Sequence, residues 1–309
     1  MDSPNDIDNR FLCQNLIRKS RFYVICFLFT FLVIIQTACT QIKLIPVNQN
    51  PSGYYNQGQI IWHDLLTDDV ETAKSFYGGL FGWRFKQSGS YTIVMNGSNP
   101  IGGMVELKDE LKDKRSAGWI TYFSIPEVDD TANWVQSIGG EILKGPGDMI
   151  NRGRYATVLD PTGAPLVLLH SDNGDPQKNG IQVGDWLWNE LWTTDIGAAL
   201  DFYQDLGGYA AQKASSEEEE DYWVLLDTQE HYQGGITVIP FEDLPSQWVP
   251  VVRVADPLTI AAQVASLGGE VIVNPDHPLS DGNVALIRDP TGGIFMVESW
   301  DSENKAGEE

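Results

Sequence analysis

One segment of this chain occurs twice, and this repeat limits the possible folds more than any other feature. The segment IIWHDLLTDDVETAKSFYGGLFGW at 60–83 is similar to WLWNELWTTDIGAALDFYQDLGGY at 186–209, at a constant offset of 126. Further along, DPTG at 160–163 recurs at 289–292, at an offset of 129. Self-similarity at a fixed spacing marks a repeated structural unit. The sequence therefore predicts two modules of similar length.

Each module alternates strand-type and helix-type patterns. A strand over 60–66 leads to Asp69, which is placed to cap an amphipathic helix over 70–80, and Gly-punctuated strands follow. A second cycle of the same kind runs from Trp119 to His170. Each module thus contains two βαβββ units, and the predicted fold class is α+β with four such units. Because one unit cannot cover its own sheet, we expect paired units to form curved sheets with helices outside and a concave pocket inside.

The repeat also predicts the boundaries of the domains. We expect a signal peptide or membrane anchor at 1–39, a tether at 40–57, module 1 at 58–170, a linker at 171–183, module 2 at 184–300 and a polar tail at 301–309. The linker is polar and rich in turn-forming residues.

The N-terminal segment is typical of an export signal. The basic sequence RKSR at 18–21 precedes an apolar run at 22–35, which is short for a membrane span of roughly 20 residues. The following Thr-Ala-Cys, ending at Cys39, resembles the end of a lipoprotein signal, in which the cysteine is acylated. We predict lipidation at Cys39 and a cell-envelope location facing the periplasm or exterior. An uncleaved signal anchor and an ordinary cleaved signal are the alternatives.

Charge and cysteine content exclude several classes of function. The net charge is -23 and no stripe of Lys and Arg is present, so nucleic acid is not an expected partner. Cys13, Cys26 and Cys39 all precede the repeated part of the chain. Disulfides, cysteine nucleophiles and cysteine-bound metals are therefore excluded from the modules.

The repeated motifs resemble those of one protein superfamily. The chain contains Trp-His-Asp-Leu from Trp62, Phe76-Tyr77, Leu-Phe-Gly-Trp ending at Trp83, Gly-Gly-Met ending at Met104, and GRYATVLDPTG at 153–163. In this order and repeated, they resemble the vicinal oxygen chelate superfamily of glyoxalases, bleomycin-resistance proteins and dioxygenases, over residues 58–300. The resemblance implies that the two modules supply the pairing that single-module relatives achieve as dimers, so we expect a monomer.

In metal-using members of that superfamily, the ligands lie on the first, fifth and eighth strands and face the concave side. The matching positions here are Trp62, Ile120 and Val167 in module 1 and Trp188, Val249 and Met296 in module 2. Zinc, iron and nickel sites need nitrogen or oxygen donors at fixed spacing. We therefore expect no cofactor and no standard metal site. The alternative is a divalent metal held by shifted ligands, which would require His63, Asp64, Glu190 and Glu298.

Strand alternation predicts which side chains share the concave face with the positions just named. The predicted ligand-binding residues are Trp62, Asp64, Tyr122, Trp188, Glu190, Trp192, Arg253 and Glu298, with Trp300 nearby. The carboxylates suit hydroxyls, amines or a hard cation, and Arg253 suits an anionic group. Alternatively, Arg253 only forms an ion pair with Glu298 or Glu190. His63 has the opposite parity, which predicts a position under a helix or at the module interface.

Two classes of function agree with these residues. The first is a binding protein that holds a small, partly apolar ligand in a tryptophan-lined pocket without a metal. The second is an enzyme, either a metal-dependent glyoxalase-, isomerase- or dioxygenase-type enzyme with shifted ligands, or a metal-free acid–base catalyst. Asp64 and Glu190 are the candidate catalytic residues of the second class. A structural or interaction role is the third alternative.

Overall fold

The structure is a computed structural model that describes residues 44–107, 117–177, 180–214, 221–241, 244–277 and 282–300. The predicted signal, the predicted lipidation site Cys39 and the polar tail lie outside these residues. Within the described part of the chain, no helix combines the length and apolar character needed to cross a membrane.

The helices and strands of the described residues follow one another in a repeated order. Module 1 contains β1 (Ile60–Thr67), α1 (Val70–Phe81), β2 (Arg84–Ser88), β3 (Tyr91–Asn96), β4 (Asn99–Glu106), β5 (Gly118–Ser124), α2 (Val128–Ser137), β6 (Glu141–Met149), β7 (Gly153–Leu159) and β8 (Pro165–Ser171). Module 2 contains β9 (Trp186–Thr193), α3 (Ile196–Gly207), β10 (Ala210–Lys213), β11 (Trp223–Leu226), β12 (Tyr232–Val238), β13 (Gln247–Val254), α4 (Pro257–Val264), a 3₁₀ turn (Ala265–Leu267), β14 (Glu270–Val273), β15 (Val284–Arg288) and β16 (Ile294–Ser299).

Each module forms one eight-stranded sheet with the same strand order. The first sheet is ordered β2-β3-β4-β1-β5-β8-β7-β6, and the second β10-β11-β12-β9-β13-β16-β15-β14. The central pair in each sheet, β1 with β5 and β9 with β13, is antiparallel and joins the two βαβββ units. The α+β class with four βαβββ units in two modules is therefore confirmed.

Local sequence explains where the helices begin and end. The Asp69 side chain accepts a hydrogen bond from the Thr72 amide at 2.9 Å, so it caps the start of α1. Gly82 ends this helix in the left-handed conformation, with φ 69°, which glycine adopts without a steric penalty. In module 2, Asp195 and Gly208 do the same for α3. The capping motif predicted from the repeat is thus present in both copies.

The two modules share their apolar cores on the helix side of the sheets. In one core, Phe123 and Ala156 of module 1 pack in the same cluster as Phe202 and Trp248 of module 2. The other core combines the first half of module 1 with the second half of module 2. Neither module therefore completes its core alone.

Two buried hydrogen-bond chains also cross between the modules. Trp119 donates to the Tyr77 hydroxyl at 2.9 Å, and Tyr77 donates to Asp289 of the other module at 2.8 Å. The repeat of this chain runs from Trp248 to Tyr203 at 2.8 Å and from Tyr203 to Asp160 at 2.9 Å. The aspartates of the two DPTG segments therefore connect the modules.

Residues 44–58, here called the strap, pack against module 1 although the sequence suggests a tether. Val47 is buried, and Asn48 and Ser52 donate to the Asp175 carbonyl at 3.0 and 2.9 Å. The Asn56 amide donates to the Asp175 carboxylate at 2.6 Å. These partners lie more than 100 residues away along the chain, so no local pattern indicates them.

Candidate functional site

The face of the first sheet opposite the helices, here called cup 1, contains the expected first-, fifth- and eighth-strand positions. Its apolar lining includes Trp62, Ile120, Tyr122, Tyr155, Val167 and Leu169, together with Val47 of the strap. Strand alternation places Trp62 and Asp64 on this same face of β1. Cup 1 therefore contains three of the predicted ligand-binding residues, Trp62, Asp64 and Tyr122.

Asp64 is held by three neutral donors within cup 1. One of its oxygens accepts from the Trp62 indole at 2.8 Å and from the Tyr91 hydroxyl at 2.6 Å. The other oxygen accepts from the Tyr122 hydroxyl at 2.7 Å. Burial, and after it the Asp64 charge, raises the pKa of both tyrosines, so both remain protonated donors. Each oxygen of the buried carboxylate therefore accepts at least one hydrogen bond.

Arg152, in the turn between β6 and β7, supplies the opposite charge. Its side chain is fully buried, and one guanidinium nitrogen lies 3.5 Å from Asp64. The guanidinium carbon lies 4.8, 5.1 and 5.8 Å from the ring centres of Trp62, Tyr91 and Tyr122. Burial alone would lower the pKa of Arg152, but Tyr91 and Asp64 raise it, so the arginine remains charged. Cup 1 is therefore a cage of aromatic rings and one carboxylate around a cation.

The strap covers this cage. Arg152 donates from Nε to the Ile45 carbonyl at 3.1 Å, and Val47 packs in the apolar lining. As a result Trp62, Asp64 and Tyr122 are only 3%, 2% and 5% exposed. Ligand contact with these three residues stays a prediction that requires the strap to move.

Cup 2, the corresponding face of the second sheet, contains a similar group of tryptophan, tyrosine and carboxylate in a more accessible form. The Trp188 indole donates to the Tyr222 hydroxyl at 3.1 Å, and Tyr222 donates to Glu190 at 3.3 Å. Trp192 also donates to Glu190 at 3.3 Å. Trp188, Glu190 and Tyr222 are half-buried, unlike Trp62, Asp64 and Tyr91 of cup 1. The polar part of cup 2 is therefore partly accessible to solvent.

The rest of cup 2 is mostly apolar, with Arg253 and its strand neighbour Glu298 at one end. The apolar lining consists of Trp192, Val249, Val251, Leu286, Ile294 and Met296. Arg253 is the strand neighbour of Glu298, but its guanidinium donates to the carbonyls of Ile181 and Trp300. Glu190 pairs with Val249 of β13, which lies four residues, or about 13 Å, from Arg253 along that strand. Arg253 and Glu190 therefore mark opposite ends of cup 2.

His63 lies on the other side of β1, at the module interface. Its Nε2 is 2.7 Å from the Asn189 side-chain oxygen, and its ring packs at 4.5 Å on Trp186. Burial lowers the pKa of His63 to about 4, with Asn189 and Asp64 acting in the opposite direction. His63 is consequently neutral near pH 7 and does not face either cup.

The residues present do not fit the metal that the superfamily uses. The six ligand positions lie in the cups, but they carry indole, aliphatic and thioether side chains. The shifted set is not brought together either, since His63 faces away from Asp64 and Glu190 belongs to the other sheet. Across the described ranges, no three histidine, cysteine or acidic side chains are placed to hold an ion.

Arg152, Tyr91 and Tyr222 belong to the cups but were not among the predicted site residues. Arg152 lies in a turn, where strand alternation gives no direction for a side chain. The two tyrosines are marked by glycines on the neighbouring strand: a Cβ added at Gly103 would lie 1.9 Å from the Tyr91 hydroxyl, and one at Gly235 would lie 2.2 Å from that of Tyr222. The paired glycines were thus a usable signal.

The fold defines a two-module βαβββ protein with a concave face on each sheet. Residues 59–168 match the model of the Glyoxalase/Bleomycin resistance protein/Dioxygenase superfamily. This match confirms, over residues 59–168, the resemblance predicted from the motifs.

Similar proteins are known from several bacteria. The chain is 29% identical over 249 residues to "Putative glyoxylase CFP32" of Mycobacterium tuberculosis, covering 79% of this chain and 95% of the relative. It is 28% identical to the anthracycline biosynthesis protein DnrV of Streptomyces peucetius, covering 78% and 92%.

Solved structures share the fold at low sequence identity. The Mn(II)-bound glyoxalase from Novosphingobium aromaticivorans has a TM-score of 0.57 at 12% identity, covering 79% of this chain and 83% of that one. The native homoprotocatechuate 2,3-dioxygenase from Arthrobacter globiformis has a TM-score of 0.55 at 12% identity, covering 85% and 86%. These likenesses support the two-module fold.

Proposed function

We propose that this protein binds a small, partly apolar ligand in cup 2 and does so without the metal of its superfamily. The observation that carries the proposal is the difference between the cups. Cup 1 is filled by Arg152 and covered by the strap, whereas Trp188, Glu190 and Tyr222 of cup 2 are half-buried. A concave apolar face with a few converging polar groups is the usual form of a small-molecule site.

The donor set supports the metal-free part of the proposal. Trp188, Val249 and Met296 occupy the ligand positions of cup 2, and Glu190 and Glu298 are the carboxylates on its central strands β9 and β16. Carboxylates alone suit a weakly held hard cation and not zinc or iron. The expected role is therefore sequestration or sensing of a ligand. A metal-dependent lyase, isomerase or dioxygenase is the alternative outcome.

Elemental analysis of the full chain in a non-ionic detergent tests the absence of a metal. We expect far less than one zinc, nickel, iron or manganese per chain, also after incubation with each ion. Calorimetric titration with butylurea, a small neutral probe, tests the site itself. Trp188→Leu should weaken binding of the probe, and Trp134→Leu, a change on the helix side, should not. Stoichiometric metal would contradict the binding function.

We further propose that the chain is anchored in the cell envelope through Cys39. The order of basic, apolar and small residues before Cys39 supports this location. Metabolic labelling with a fatty-acid analogue should mark the wild-type chain and not Cys39→Ser. Equal labelling of both would contradict lipidation at this residue.

A further inference from the structure

The two cups share three positions of one framework, a tryptophan, a carboxylate and a tyrosine, whereas the position of Tyr122 in cup 1 is taken by Val251 in cup 2. In both sheets the tryptophan and the carboxylate are two apart on the first strand of the module, at Trp62 and Asp64 and at Trp188 and Glu190. The tryptophan donates to a tyrosine hydroxyl at 3.1 Å in each cup. The strand registers match as well. Tyr91 lies two residues before Ile93, the strand partner of Gly103, and Tyr222 lies two residues before Val224, the strand partner of Gly235.

In cup 1 this framework holds a guanidinium group that the chain itself supplies. Arg152 lies over three rings and beside Asp64 in a fully buried cage. An aromatic cage with a carboxylate is a general solution for binding organic cations, because ring faces and the carboxylate both attract positive charge. Cup 1 therefore shows that this framework accommodates a guanidinium cation.

The sequence of the connection that corresponds to the Arg152 turn is different in module 2. At the offset of 129 that relates the DPTG segments, Arg152 matches Asp281, and the connection NPDHPLSDGN at 274–283 contains neither lysine nor arginine. Arg253, the basic residue of β13, donates to the Ile181 and Trp300 carbonyls at the other end of the cup. The net charge of -23 also favours cations near the surface.

We propose that cup 2 binds an organic cation, an alkylguanidinium or alkylammonium group, between Trp188, Tyr222 and Glu190. The charged group lies where the guanidinium of Arg152 lies in cup 1, and the alkyl part contacts the apolar lining that includes Val251. Tyr232, whose ring centre is 6.5 Å from that of Trp188, adds an exposed aromatic edge. This inference rests on the proposed function, since it names the ligand class of the same site.

Calorimetric titration of the full chain in non-ionic detergent with butylguanidinium and butylurea tests the ligand class. The two probes have the same shape and differ in charge. We expect butylguanidinium to bind about tenfold more tightly, because it adds a cation–π contact and a charge-assisted hydrogen bond. The preference should shrink at high salt, because ions screen this attraction.

Glu190→Gln is the decisive variant, since it keeps the shape and removes the charge. It should lose most of the preference for butylguanidinium, whereas Glu270→Gln, an equal change of net charge at an exposed ion pair, should keep it. A preference that survives Glu190→Gln overturns the inference.

The titrations separate the two proposals. Equal affinity for both probes, weakened by Trp188→Leu, overturns the cation preference and leaves cup 2 as an apolar site. Binding of neither probe overturns both proposals.

Discussion

At the scale of single residues, Asp64 and Arg152 show how a concave sheet face becomes part of the protein interior. Three hydrogen-bond donors and three aromatic rings compensate the burial of this charge pair. Replacing one member of such a pair leaves the other charge buried without compensation, which costs more than the pair itself contributes.

Arg152→Ala should therefore lower the free energy of unfolding by about 3–5 kcal/mol. Urea denaturation measures the loss, and Arg154→Ala is the matched control, two residues away. Arg154 forms exposed ion pairs with Asp129 and Asp148, so its removal should change the free energy of unfolding far less. Similar losses for both variants would contradict the buried role of Arg152.

His63 gives a pH dependence whose sign follows from its burial. Its pKa falls from 6.5 to about 4 in the folded chain, so the unfolded chain binds the proton first on acidification. The contribution of neutral His63 to the free energy of unfolding is fully present above pH 6.5 and is lost as the pH falls toward 4. It amounts to about 3 kcal/mol. Urea denaturation between pH 7 and pH 4 should show that the free energy of unfolding falls less steeply for His63→Gln than for the wild type. An unchanged slope would show that other groups carry the acid sensitivity.

At the scale of elements, local patterns were sufficient for strands and helices and insufficient for the strap. The predicted helix at 70–80 is found at Val70–Phe81, and the strand at 60–66 at Ile60–Thr67. The superfamily resemblance placed Trp62, Ile120 and Val167 on one face, and alternation added Tyr122, because side-chain direction along a strand is a local property. The packing of the strap and the role of Arg152 could not be predicted, because their contact spans 107 residues and both lie outside regular elements.

Detachment of the strap can be produced by one substitution. Val47→Asp would bury a carboxylate in an apolar lining, which costs more than releasing the segment into water. We expect faster amide exchange at 44–58 and stronger quenching of tryptophan fluorescence by acrylamide. Tyr54→Asp, on a side chain that is 66% exposed, is the control and should change neither. Unchanged exchange in Val47→Asp would mean that Val47 does not hold the strap.

At the scale of the whole molecule, the shared cores couple the two modules. Because each core takes residues from both repeats, removal of one module exposes the apolar surface of the other. Scanning calorimetry should show one transition with equal calorimetric and van't Hoff enthalpies. Phe202→Ala, in a core shared by both modules, should shift the whole transition and cost about 3–5 kcal/mol. Two separate transitions would contradict this coupling.

Arg152 belongs to the same chain as the cage that holds it, and this has a consequence for the stoichiometry of ligand binding. A tethered occupant competes at a high effective concentration, which does not change when the protein is diluted. Cup 1 is therefore saturated under all conditions in which the chain is folded and the strap is in place. A duplicated architecture would ordinarily give two equivalents of ligand and room for cooperativity. This chain should instead take up one equivalent, with a simple hyperbolic dependence on concentration.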